Sequence, residues 1–239
     1  MCVAAIAWAA HPRWRLVAMG NRDEFHERPT APLALWQDGS GIIAGRDLRA
    51  GGTWLGVGPE ARFALVTNFR VEGYPQPDRP SRGGLITGWL TGEARPDIAA
   101  MNPFNLLLAD RHSARVVSNY PQVGEIALPP GVHGLSNGAF AAPWPKTRQL
   151  GNALSGWLEE GSDGLEPLFN ALRREMPDPA LARQEQGPEP RLAPVFIRDA
   201  TYGTRCSSVI LIDADGHGQI MERRFDPGGN VTGENCLTF

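Results

Sequence analysis

The chain has 239 residues, 23 basic and 26 acidic, with a formal charge of −3. Its 42% hydrophobic and 21% charged residues are globular composition, and its length suits one αβ domain with a real core. There is no basic excess, so no nucleic-acid partner is expected. No apolar run approaches ~18 residues, so no membrane span is expected either.

The first half is dense in strand signals. Residues 2–8 and 14–20 are short apolar runs separated by a proline-containing turn, which predicts a hairpin of buried strands. Residues 41–47, 53–58 and 62–69 repeat the pattern, with Gly51-Gly52 and Gly58-Pro59 as breaks. A helix is predicted from Ser81 to Leu90, with Leu85, Ile86, Trp89 and Leu90 on one face. Residues 105–109 and 114–118 read as a hairpin turned at Asp110-Arg111-His112. Residues 145–159 fit a helix with Pro145 in its first turn, and 165–175 fit a second. Five prolines in 177–194 predict a mobile surface loop. Strands at 206–213 and 217–224 follow. The order of strands, helices and strands lacks βαβ alternation, so the expectation is one domain over residues 1–239, with mainly antiparallel sheets and helices outside.

Three cysteines without CxxC spacing argue against both a disulfide framework and a zinc knuckle. The apolar stretch at 3–10 lacks a basic leader, and His11, Arg13 and Arg15 follow it at once. It does not read as an export signal, and a cytoplasmic protein is expected. The five histidines form no metal-binding pattern, and no phosphate-binding glycine motif occurs. Lys146 is the single lysine, so any Schiff-base chemistry would rest on it.

Cys2 is the most informative position. A small second residue permits removal of Met1, which would leave thiol and α-amine on one residue. Such an amine has a pKa of about 7.7–8.0 and can take the thiol proton. Asn21-Arg22-Asp23-Glu24 ends the second predicted strand, which places it near Cys2. An arginine there lowers a thiol pKa, and an aspartate can hold the amine. Asn68 and Asn137 end apolar runs, where an amide can stabilise an oxyanion. Arg205, before the 206–213 strand, suits carboxylate recognition. Cys206 and Cys236 read as core residues.

Several ordered segments carry a resemblance: MC at 1–2, NRDEFHERPTAP at 21–32, GRDLRAGGTWLGV at 45–57, TNFR at 67–70, SRGGL at 81–85, GLSNG at 134–138, PWPKT at 143–147 and YGTRCSSVILID at 202–213. Together they resemble the NRDE family of transport and Golgi organization protein 2 homologues. That family in turn resembles the N-terminal nucleophile hydrolases, particularly the choloylglycine hydrolase and penicillin V acylase group. The resemblance implies an α+β fold, a four-layer αββα sandwich, and cleavage of non-peptide amides. It makes Cys2 the nucleophile, assisted by Arg22 and Asp23, with Asn68 and Asn137 near the oxyanion and Arg205 as the matching late arginine.

The hydrolase group spaces its early arginine and aspartate by three residues, whereas here they are adjacent. Neighbours on a strand face opposite ways, so both reach Cys2 only if the chain bends; Asn21 or Glu24 are the substitutes. Two functions follow. One is an N-terminal cysteine amidohydrolase acting on a small molecule. The other is a non-catalytic carrier of haem or an acyl lipid, since the family is linked to haem trafficking and lipid homeostasis. Trp36, Trp54, Phe69, Trp89 and Trp144 would then wall the cleft. No cofactor is expected, and haem would be cargo.

Overall fold

The fold comes from a computed structural model, which describes residues 2–93, 96–140, 142, 144–176 and 193–239. The loop expected at 177–194 lies, except for its last two residues, outside the described residues.

Strands β1 (Val3–Trp8) and β2 (Trp14–Phe25) form the expected hairpin, in register from Trp8–Leu16 to Val3–Asn21. β2 continues beyond Gly20 to Phe25, so Asn21–Glu24 is strand and not a turn after it. The first sheet has the order β10-β1-β2-β11-β12-β13, with β10 at Gly131–Leu135, β11 at Tyr202–Asp213, β12 at Gly218–Phe225 and β13 at Val231–Thr238. The second runs in sequence order from β3 to β9. Its strands are β3 (Thr30–Leu35), β4 (Ile43–Asp47), β5 (Leu55–Gly58), β6 (Arg62–Asn68), β7 (Phe104–Ala109), β8 (Ala114–Ser118) and β9 (Gly124–Ala127). Every strand pair in both sheets is antiparallel.

Three helices are present among the described residues: α1 (Gly83–Thr91), α2 (Pro145–Glu160) and α3 (Glu166–Leu172). Pro145 opens α2, where its missing N–H costs nothing. Gly161, at φ 62°, closes it in the left-handed region that a Cβ disfavours. α1 begins at Gly83, two residues after the expected start at Ser81. α3 stops at Leu172, short of the expected 175.

The layers follow from strand alternation. Ala4, Ile6 and Trp8 of β1 face the second sheet and pack with Leu55, Phe63, Leu65 and Leu107. Val3, Ala5 and Ala7 face outward against Leu150, Leu154 and Trp157 of α2, and Leu168 and Phe169 of α3 lie in the same cluster. On the far side, Ala64 and Val66 of β6 pack with Leu85, Ile86 and Leu90 of α1. The stacking is helix, sheet, sheet, helix: an α+β four-layer αββα sandwich. With both sheets covered on both faces, their central strands read as unbroken apolar runs. Each fully buried Leu, Ile or Phe contributes about 1.5–3 kcal/mol.

Candidate active site around Cys2

Cys2 immediately precedes β1. Alternation from Ala4 places it on the inter-sheet face, and the hairpin register sets it beside Arg22. Cys206 of β11 pairs with Arg22 from the other side. Cys2, Arg22 and Cys206 thus form one row across three strands, and all three line a cavity of about 380 Å³ that both sheets enclose. Part of the wall comes from the segments around Gly52 and Gly83. Their backbones touch there: a Cβ on Gly52 would stand 2.6 Å from the Gly83 carbonyl carbon.

The four residues Asn21–Glu24 do four different jobs. Asn21 points away from the cavity. Its Nδ2 donates to the carbonyls of Leu172 (2.8 Å) and Val195 (2.9 Å), and its Oδ1 accepts from Ser207 Oγ (2.6 Å). It anchors the end of α3 and does not substitute at the site. Arg22 is buried on the cavity wall, and its Nη1 donates to Thr30 Oγ1 at 3.2 Å. Its Nη2 lies 3.7 Å from both Glu24 and Asp47, and Arg28 completes the group at 2.6 Å from Asp47. Asp23 is buried as well, and its Oδ1 accepts from Thr204 Oγ1 at 2.7 Å. Burial raises its carboxyl from 3.8 to about 6.

Adjacent Arg22 and Asp23 therefore both line the cavity, although β2 is unbroken through them. The irregularity falls on the partner strand. The β11–β2 register shifts between Thr204 and Cys206, which leaves Arg205 as the extra residue opposite this pair.

Cys2 is half-buried, and loss of solvent pushes its thiol up. The Asp23 charge raises it further, while the terminal amine charge, a hydrogen bond from the Asp23 backbone and the Arg22 charge act the other way. Cys206 is raised much further, by burial and then by the charge of Glu222. It packs as expected. Cys236 does not: it lies on the exposed face of β13, where solvent replaces the expected core.

The asparagine segments meet. Asn68 is exposed and lines the cavity, whereas Asn137 is fully buried behind it and does not. Asn137 Nδ2 donates to the Asn68 carbonyl at 2.9 Å, and Ser136 Oγ donates to the Cys2 carbonyl at 2.9 Å. Arg205 also stays off the cavity wall. Its Nη1 donates to the carbonyls of Phe25, His26 and Arg28 at 2.9–3.1 Å, which holds the turn leaving β2. The bonds that the structure gives this side chain are this backbone clamp.

Two residues were not foreseen at the site. Lys146 is fully buried at the start of α2, and its charge acts on Asp23 and Cys2; burial lowers its own pKa. Its uniqueness as a lysine was the only signal. Glu222, buried on the cavity wall, accepts from the Leu33 backbone at 2.9 Å; nothing in its sequence context marked it. Of the five expected aromatic walls, only Trp54 lines the cavity. Trp36 is core, Trp89 packs on α1's cluster, and the Phe69 ring meets Tyr120 in a tilted contact at 5.1 Å.

Among the described residues no three His, Cys, Asp or Glu side chains gather as a metal set. No helix there is long and apolar enough to cross a membrane.

The chain is similar to several known proteins. It is 33% identical to the mouse Transport and Golgi organization 2 homolog, over 93% of this chain and 92% of that protein. The human homolog gives the same identity and coverage. Among solved structures it is similar to a Caenorhabditis elegans N-acylethanolamine-hydrolyzing acid amidase ortholog, at TM-score 0.49 and 11% identity over 88% of this chain and 92% of that one. Residues 1–227 match Transport and Golgi organisation 2, and the chain belongs to that family.

Proposed function

We propose that this protein is an N-terminal cysteine amidohydrolase that cleaves a C–N amide bond in a small, polar molecule. The observation that carries this reading is the position of Cys2, beside Arg22, on a cavity walled by charged groups. Fixed charges are costly to leave facing an apolar ligand. They favour a polar substrate over haem or an acyl chain.

In this reading Met1 is removed and the α-amine of Cys2 is the base. The thiol proton passes to the amine, and sulfur attacks the amide carbon. The carbonyl electrons move to oxygen, where the Asn68 amide is placed to donate. The intermediate collapses, the C–N bond breaks, and the leaving amine takes the proton from the ammonium. Water then attacks the thioester carbon, which releases a carboxylic acid and restores the thiol. Arg22 favours the thiolate, and Asp23 holds the ammonium. Asn137 and Arg205 act at one remove: the first fixes the Asn68 backbone, the second the turn after β2.

The test starts from untagged protein. Its intact mass should lack Met1, and a panel of small polar amides should include one that is turned over. Cys2→Ala should abolish that turnover and leave the fold intact by circular dichroism. Retained Met1, or turnover that survives Cys2→Ala, overturns the reading. Haem or acyl-lipid binding that persists in Cys2→Ala, with no amide turned over, favours the carrier instead.

A further inference from the structure

The charges on the cavity wall do not balance locally. Arg22 and Arg28 face Glu24 and Asp47, and Arg49 lies 3.6 Å from Glu27. Arg79 and Arg82 are different. Both line the same cavity, and among the described residues neither pairs with a carboxylate.

Neutral acceptors hold them instead. Arg79 donates from Nε to Gln76 Oε1 at 2.6 Å and from Nη1 to the Met101 carbonyl at 3.1 Å. Arg82 donates from Nη1 to the Pro103 carbonyl at 3.1 Å. The segment that carries them is pinned in turn. Asn102 accepts from the Gln76 backbone at 2.8 Å and donates back to its carbonyl at 2.9 Å. A guanidinium has five N–H donors, so these bonds fix each fork and leave donors over.

We infer that Arg79 and Arg82 form an anion subsite in the Cys2 cavity, which takes a carboxylate or phosphate group at one end of the substrate. The assignment rests on the amidohydrolase reading of that cavity. It follows from forks that neutral groups orient but do not neutralise: an anion that offers two oxygens satisfies both charge and geometry. Arg82 shares the cavity wall with Cys2, and burial works against its own charge. Arg82 also stands at the N-terminal end of α1, without a side-chain capping bond, and the first turn there holds no acidic residue. The helix's partial positive charge adds to it there.

The experiment uses matched amides that differ only at one end, in carboxylate, phosphonate or neutral carboxamide. Two readouts are taken: kcat/KM for turnover, and protection of Cys2 from iodoacetamide by each compound. Wild type should prefer one anionic form over the carboxamide by about 10–100-fold, the range for a hydrogen-bonded charge. Arg79→Gln with Arg82→Gln should bring the anionic forms down to the level of the carboxamide, in turnover and in protection alike. Arg79→Lys with Arg82→Lys should keep part of it, which separates lost charge from a damaged fold. Equal handling of all three by wild type, or a preference that survives the glutamine changes, overturns the subsite. No turnover of any amide, with anion-selective protection that the glutamine changes remove, leaves the subsite standing and fells the amidohydrolase reading. Carboxylate against phosphonate identifies the source of the anion.

Discussion

The side chain of Asn137, fully buried, donates across 2.9 Å to the backbone carbonyl of Asn68. Residues 69 positions apart are thereby tied together, and only the earlier one borders the cavity. The link runs on to Cys2, because Ser136 Oγ lies 2.9 Å from the Cys2 carbonyl and 3.1 Å from Asn137 Oδ1, two acceptors for its one proton.

Asn137→Ala removes a buried donor and leaves the Asn68 carbonyl short of a partner. The expected cost is about 1–3 kcal/mol. It should appear as a lower urea midpoint with unchanged m. Asn68→Ala, at an exposed side chain, should stay within about 0.5 kcal/mol of wild type, yet it should lower turnover if its amide meets the oxyanion. An unchanged midpoint in Asn137→Ala would show that the tie is not structural.

The cysteines offer a check without any substrate. Cys236 is exposed, Cys2 half-buried with a raised thiol, and Cys206 buried with a thiol raised further. Iodoacetamide on the native protein should therefore label Cys236 first and Cys2 next, with labelling of Cys2 rising steeply with pH above neutrality. Cys206 should react only after unfolding. Peptide mass spectrometry reads the order, and early labelling of Cys206 would contradict the burial of the row beside Arg22.

The central strands were legible because they are covered on both faces. β1 holds only buried apolar residues and β6 an unbroken buried apolar run from Phe63 to Val66, so the signal survives without alternation. The four strands that were not read, β3, β9, β10 and β13, are the four sheet edges. β9 is exposed throughout, and β3 carries Pro32, which only an edge tolerates readily. Edge strands gain their place from one neighbour's backbone, which leaves little trace in side-chain type. The site divides the same way. Cys2, Arg22 and Asp23 were legible from motif and hairpin register. Lys146 and Glu222 reach the site only through packing of α2 and β12, which no local pattern encodes. The place of Arg205 off the cavity wall was not legible for a related reason: it sits at a bulge on β11, and a bulge has no signature in a sequence this rich in arginine.

Arg205 is accordingly predicted to matter for the fold more than for ligand charge. Arg205→Leu leaves three carbonyls of the 25–28 turn without their donor. A loss of about 1–3 kcal/mol is expected. Proteolysis should increase within that turn. Arg205→Lys keeps the charge but not the planar fork, and it should restore only part of the loss. Full rescue by lysine would mean that charge, not the clamp, is what the position supplies.

The last prediction concerns pH. Burial raises the Asp23 carboxyl from 3.8 to about 6. The folded chain therefore holds that proton more tightly than the unfolded chain, and between about 4 and 6 it binds the larger number of protons. Stability from this group is fully present below the lower value and is lost as pH rises through the upper one. Asp23→Asn keeps an acceptor for Thr204 and cannot ionise. It should flatten this part of the pH profile and gain up to about 3 kcal/mol relative to wild type at neutral pH. The Lys146 charge favours ionised Asp23, so Lys146→Met should push the loss to higher pH. In the double variant that displacement should vanish, because no carboxyl remains to respond. Urea unfolding at stepped pH from 4 to 8 on the four proteins measures each slope. A wild-type slope that persists in Asp23→Asn would assign it to another group and break the proposed coupling between the lysine, the aspartate and Cys2.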